Sequence, residues 1–139
     1  MKSAGKKILA ILTIALVSQI TIDIDKTAKA DEEVDLQNAK RKLDDGNYSE
    51  ALKIYDVLLQ KGIKTADVYY GRGRSLQELG NNEQSLSNYT KLIQIDPKNA
   101  IAYSNRGLVY GSLQKIKLAL NDFNTAISLN PEFENAYVN

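Results

Sequence analysis

Hydrophobic residues follow two different patterns in this chain, and the change falls near residue 31. Ile8 to Ile22 carries no charge, and its apolar heart runs Ile8-Leu9-Ala10-Ile11-Leu12-Thr13-Ile14-Ala15-Leu16-Val17. Lys2, Lys6 and Lys7 precede it, Asp23 and Asp25 close it, and Ala28-Lys29-Ala30 leads into Asp31-Glu32-Glu33. A basic start, a short apolar heart and a small-residue A-x-A site are the pattern of a secretory signal peptide. The lysines stay on the cytoplasmic side while the apolar stretch partitions into the bilayer. A spanning helix wants about 20 apolar residues, roughly twice this heart. The reading is a signal peptide over residues 1–30 and a secreted, periplasmic or otherwise exported protein. The alternative is an uncleaved membrane anchor, since the uncharged run plus tilt just reaches across. A buried core helix would need a one-sided apolar stripe, which the segment lacks.

Downstream the period is helical and repeats every 34 residues. Asp96-Pro97 returns as Asn130-Pro131, Tyr69 as Tyr103 and Tyr137, and Arg72-Gly73 as Arg106-Gly107. Leu79 returns as Leu113, Leu86 as Leu120 and Ile93 as Ile127. An upstream copy places Gly46 before Gly80, Ala51 before Ser85 and Tyr55 before Tyr89. Within a copy, Tyr69, Gly73, Leu76 and Leu79 share one helix face, and Leu86, Tyr89 and Ile93 share the next. Gly80-Asn81-Asn82 breaks the chain between them, and Asp96-Pro97 breaks it again. The spacing predicts helix–turn–helix copies over about 32–65, 66–99 and 100–133, with helices of about 13 residues. A truncated fourth copy is expected at 134–139.

These positions resemble the tetratricopeptide repeat (TPR), a 34-residue helical pair. The resemblance covers essentially everything after residue 30. Small residues recur on the first helix (Ala39, Gly73, Gly107) and opposite on the second (Ala51, Ser85, Ala119). They let the two axes approach closely, while Tyr55, Tyr89 and Phe123 fill the space between pairs. Copy one departs from the pattern with Gly62-Ile63-Lys64 in place of the proline, and Gln114 replaces the turn glycine of copy three. The resemblance implies an all-α, right-handed superhelical solenoid of helix–turn–helix pairs. It also implies a concave groove, lined by the first helices, that binds a peptide or partner protein. The function expected is a non-catalytic interaction module, scaffold or adaptor, in an exported protein. The alternative is a membrane-tethered scaffold that assembles a complex through repeat stacking, as part of a longer array.

Rotation at about 100° per residue sets which side chains face away from the packed positions. In copy two these are Asp67, Tyr70, Arg74 and Gln77. In copy three they are Ile101, Ser104, Leu108 and Gly111, and in copy one Glu33, Leu36, Lys40 and Leu43. The partner-binding candidates are Lys40, Tyr70, Arg74, Gln77, Ser104 and Leu108. TPRs that clamp a terminal carboxylate use Lys and Asn at the fifth and ninth positions of the first repeat. Leu36 and Lys40 stand there, so that activity is not implied. Arg72 and Arg106, beside the small glycines, are expected to hydrogen-bond between repeats.

The composition narrows the chemistry further. The chain has no Cys and no His, which removes disulfides, Cys/His zinc sites and His-dependent triads. No catalytic residues, metal ligands or cofactors are expected. Of 18 basic and 17 acidic side chains, residues 1–30 hold five lysines and two aspartates, leaving 13 basic against 15 acidic beyond. That mild acidity gives a nucleic acid backbone nothing to bind. The carboxylate pairs Asp44-Asp45 and Glu132/Glu134 lack calcium-loop spacing. Asn47-Tyr48-Ser49 and Asn88-Tyr89-Thr90 match the glycosylation pattern, with Asn88 the poorer acceptor beside a core tyrosine. The last helix presents Phe123, Ala126 and Ile127 where a next helix belongs. Continuation of the array, self-association through that face, or tolerated exposure are the three expectations. Contact with a membrane is expected only through an uncleaved leader.

Overall fold

The computed structural model describes residues 2–133, and the expected fourth copy at 134–139 lies outside them. They form six α-helices: α1 (Lys2–Asp44), α2 (Tyr48–Gln60), α3 (Ala66–Glu78), α4 (Asn82–Ile95), α5 (Ala100–Ser112) and α6 (Ile116–Leu129). A 3₁₀ turn follows at Pro131–Phe133. The chain divides into two units between Val34 and Asp35.

The first unit is helical over its described residues, from Lys2 onward. Its ten large apolar side chains from Ile8 to Ile24 are 47–69% exposed. Among the described residues it holds one helix long and apolar enough to cross a membrane. Such a helix fits either a cleaved signal or an uncleaved anchor.

The second unit is an all-α stack of paired helices. The end of α1 pairs with α2, α3 with α4, and α5 with α6, and each pair packs on the next. One core cluster joins Ala39, Leu43, Ala51, Tyr55, Leu58 and Val68. A second joins Leu86, Tyr89, Leu92, Ala102 and Val109. The small positions act as expected: Ala39 and Ala51 are fully buried, and Ser85 Oγ donates to the Gly73 carbonyl at 2.8 Å. Leu43, placed by rotation on the open side, is a core residue at 4% exposure. Lys42 occupies the position of Leu76, so Leu43 supplies the apolar contact one step later.

Three first helices end alike. After α3, Gly80 N–H bonds Gln77 C=O and Asn81 N–H bonds Leu76 C=O, a Schellman ending with Gly80 at φ +78°. Gly46 repeats this at φ +77°, but the third copy places Gln114 there at φ +58°. Left-handed backbone costs a non-glycine roughly 1–2 kcal/mol. Gln114→Gly is therefore expected to stabilise the repeats by about 1 kcal/mol, after the extra freedom glycine gives the unfolded chain. Urea melts of the two proteins check this. In copy one Gly62 (φ +88°) makes the same kind of ending and stands in for the missing proline.

Arg72 and Arg106 tie the helices together. Arg72 Nε donates to Asp56 at 2.7 Å, on the preceding pair. Arg106 donates to both Asp122 oxygens, at 2.7 and 2.8 Å, and to Thr90 of the preceding pair at 3.3 Å. The Arg106 guanidinium also lies over the Tyr103 and Tyr110 rings, 5.6 and 5.7 Å from their centroids. The Asp122 carboxylate holds it above its ordinary pKa.

Candidate functional site

The first helices α3 and α5 and the end of α1 stand side by side, and two hollows open between them. The larger, about 360 Å³, is lined by Lys40, Leu43, Asp44, Tyr55, Asp67, Tyr70 and Arg74. The smaller, about 190 Å³, lies between α3 and α5 against Ala66, Asp67, Tyr70, Leu92, Asn99 and Ile101. Tyr70 lines both, so they form one continuous lane. A further hollow along Ile20, Ile24 and Ala28 is the surface of a single helix in the first unit, with no opposing wall.

The helix starts set this lane. Thr65 Oγ accepts from Val68 N–H at 3.4 Å and caps α3. Asn99 Oδ accepts from Ala102 N–H at 3.0 Å and caps α5, while its amide donates to Asp96. These caps satisfy orphan donors of the first turn and fix the angle at which Asp67 and Ile101 enter the lane. Lys40 then bridges α1 to α3 through Asp67 at 2.6 Å.

Three of the six candidates meet in the larger hollow: Lys40, Tyr70 and Arg74. Leu108 lies farther along α5 at 41% exposure. Gln77 is held internally, its Oε accepting from the Tyr89 hydroxyl at 3.0 Å. Ser104 corrects the sequence reading, because it is buried at 4% exposure and not on the open side. Helix α5 is flanked by α4, α6 and α3. Its packed arc is therefore wider than a two-helix contact implies, and the arc takes in Ser104. Tyr55, read from sequence as filler between pairs, also floors the larger hollow. Tyr55 lies on a second helix, α2, whereas rotation places the lane on first helices.

Burial pushes the Tyr55 hydroxyl up to about 12, with Asp67 and Asp44 adding and Arg74 opposing. Burial also raises Tyr89. A raised folded-state pKa means the folded form holds the proton longer than the unfolded one. Stability is then fully present below pH about 10 and falls as pH rises toward 12. Absorbance titration of the eight tyrosines is expected to show a late group that ionises together with unfolding.

No set of His, Cys, Asp and Glu able to hold a metal occurs among the described residues. What the lane offers is a polypeptide-sized trough with cations at one end and aliphatic side chains at the other. The class this defines is an all-α repeat scaffold. The family model described as "TPR repeat" matches residues 73–114, and that described as "Tetratricopeptide repeat" matches residues 100–133. Together the two matches span residues 73–133, which carry TPR repeats. The chain is similar to a crystal structure of MamA (26% identity, TM-score 0.73, covering 81% of this chain and 68% of that one). It is also similar to the TPR domain of OM64 from Arabidopsis (28%, TM-score 0.72, 77% and 88%). The second TPR of Spaghetti (RPAP3), solved with the HSP90 peptide SRMEEVD, shares the fold at 20% identity (TM-score 0.67, 71% and 92%). No curated protein matches the chain.

Proposed function

We propose that this protein is a membrane-tethered scaffold whose lane between α1, α3 and α5 holds a segment of a partner protein. Residues 1–30 form the tether and residues 31–139 the array, with repeats at about 32–65, 66–99 and 100–133. One observation carries the tether: ten large apolar side chains between Ile8 and Ile24 are about half or more exposed, a surface that water disfavours and lipid accepts. The second TPR of Spaghetti (RPAP3) is bound to an HSP90 peptide, which supports a polypeptide segment as the kind of ligand, although the terminal-carboxylate positions here hold Leu36 and Lys40.

Fractionation followed by N-terminal sequencing tests the tether. Protein that begins at Met1 or Lys2 and resists carbonate extraction is expected. A start at Asp31 in the soluble fraction would establish the second reading, an exported and cleaved module, which Ala28-Lys29-Ala30 favours. Partner capture tests the lane: a Tyr70→Ala/Arg74→Gln double variant is expected to lose bound partner while keeping its helicity. Self-association through the face of α6 read from Phe123, Ala126 and Ile127 belongs to the same proposal; Ala126 itself is buried at 1% exposure, while Ile116 and Leu120 on that helix are 57% and 56% exposed. A monomer at high concentration in ultracentrifugation removes it.

A further inference from the structure

Charge is distributed unevenly along the lane. At equivalent places on successive first helices stand Glu33, Asp67 and Ile101, and then Lys40, Arg74 and Leu108. Copies one and two thus present charges where copy three presents aliphatic carbon. The charges also differ among themselves. Asp67 is taken by Lys40 at 2.6 Å. Arg74 is half-buried and, among the described residues, has no carboxylate within ion-pairing distance. Its guanidinium shares the larger hollow with Tyr55 and Tyr70. A planar, partly desolvated donor fork of this kind can receive a carboxylate with two parallel hydrogen bonds. Beyond it, Ile101 is 48% exposed on the wall of the smaller hollow, and Leu108 is 41% exposed farther on.

Resting on the lane as the binding face, we infer that the partner segment is extended and carries one acidic side chain for Arg74 and, about four residues away, an aliphatic one for the hollow at Ile101. The spacing follows from geometry. Ile101 matches Asp67, about 10 Å along the helix from Arg74 at about 1.5 Å per residue, and neighbouring helix axes lie about 8–10 Å apart. The diagonal of about 13–14 Å is about four residues of an extended chain, whose alternate side chains share a face. A single acid is specified because Asp44 lines the same hollow and repels a second.

Panning a phage-displayed random dodecapeptide library against the full chain in lipid nanodiscs tests this. Enriched peptides are expected to pair one Asp or Glu with Leu, Ile, Val or Met about four residues away. Arg74→Gln is expected to lower the affinity of the best peptide about tenfold or more and to erase the acid preference while the aliphatic one remains. Arg74→Lys keeps the charge without the fork and retains a weakened preference. Ile101→Asn does the reverse of Arg74→Gln. Circular dichroism confirms that each variant is folded. Enriched peptides that compete for the lane but show no acid preference, or one that Arg74→Gln leaves intact, overturn the inference and leave the lane standing. Enrichment of no peptide that Tyr70→Ala/Arg74→Gln displaces overturns the lane itself.

Discussion

Replacing Arg106 with Met is expected to destabilise the repeats by about 3–5 kcal/mol, the range for a buried ion pair that loses one partner. Asp122 is 2% exposed, and both its oxygens accept from Arg106. The variant leaves a carboxylate out of water with its charge uncompensated. The loss is larger than for the related pair Arg72–Asp56, whose acid is 42% exposed. Solvent screening brings a half-exposed pair to about 1 kcal/mol or less, so Arg72→Met is expected to cost little beyond its packing. The double change Arg106→Met/Asp122→Leu removes both charges and keeps apolar volume, and is expected to recover most of the loss. Urea denaturation of the parent, Arg106→Met, Asp122→Leu and the double variant reads the coupling. If Arg106→Met melts within about 1 kcal/mol of the parent, the pair is not the clasp between α5 and α6.

The two arginines also show where the sequence was legible and where it was not. Their recurrence at 34 residues marks a repeated structural position, and both do bond between helices. Their partners do not recur. Asp56 lies in register with Thr90, whereas Asp122 lies in register with Asn88. The acid thus moves from the preceding pair to the arginine's own pair, and only coordinates reveal the exchange. The helices themselves were readable because small residues, turn glycines and prolines repeat with the backbone that demands them. Gln114 was readable as a departure, and its left-handed φ shows that the turn geometry outlasts the loss of glycine. The lane was partly readable. Lys40, Tyr70 and Arg74 converge as rotation predicts, and Leu43 borders the same hollow from the core, whereas Ser104 is buried away from it. An arc computed for one helix against one neighbour omits the contact with the preceding pair. The register of the first copy is also shifted at Lys42-Leu43.

Gly71 is expected to tolerate no side chain, and this is the second large effect. It has no counterpart in the repeat, since Gln37 and Asn105 occupy the equivalent places. A Cβ at Gly71 would fall on the ring of Tyr55, which is 1% exposed and held among Leu58, Val68 and Leu43. The ring can leave only by swinging into the larger hollow that it floors, which breaks its core packing, or by separation of α2 from α3. Gly71→Ala is expected to cost about 3 kcal/mol, the upper end of overpacking, even though alanine favours a helix by about 1 kcal/mol over glycine. Two other glycines calibrate this. At Gly73 the nearest atom to a Cβ is Tyr89 Cε1 at 3.1 Å, so crowding and propensity nearly offset and Gly73→Ala changes little. At Gly111 nothing lies within 4 Å, and Gly111→Ala is expected to stabilise by about 0.5–1 kcal/mol. Combining Gly71→Ala with Tyr55→Leu removes the obstructing ring, so the pair together should cost less than the sum of the two changes. Simple additivity in thermal melts would mean that the Tyr55 ring does not set the distance between the first two repeats.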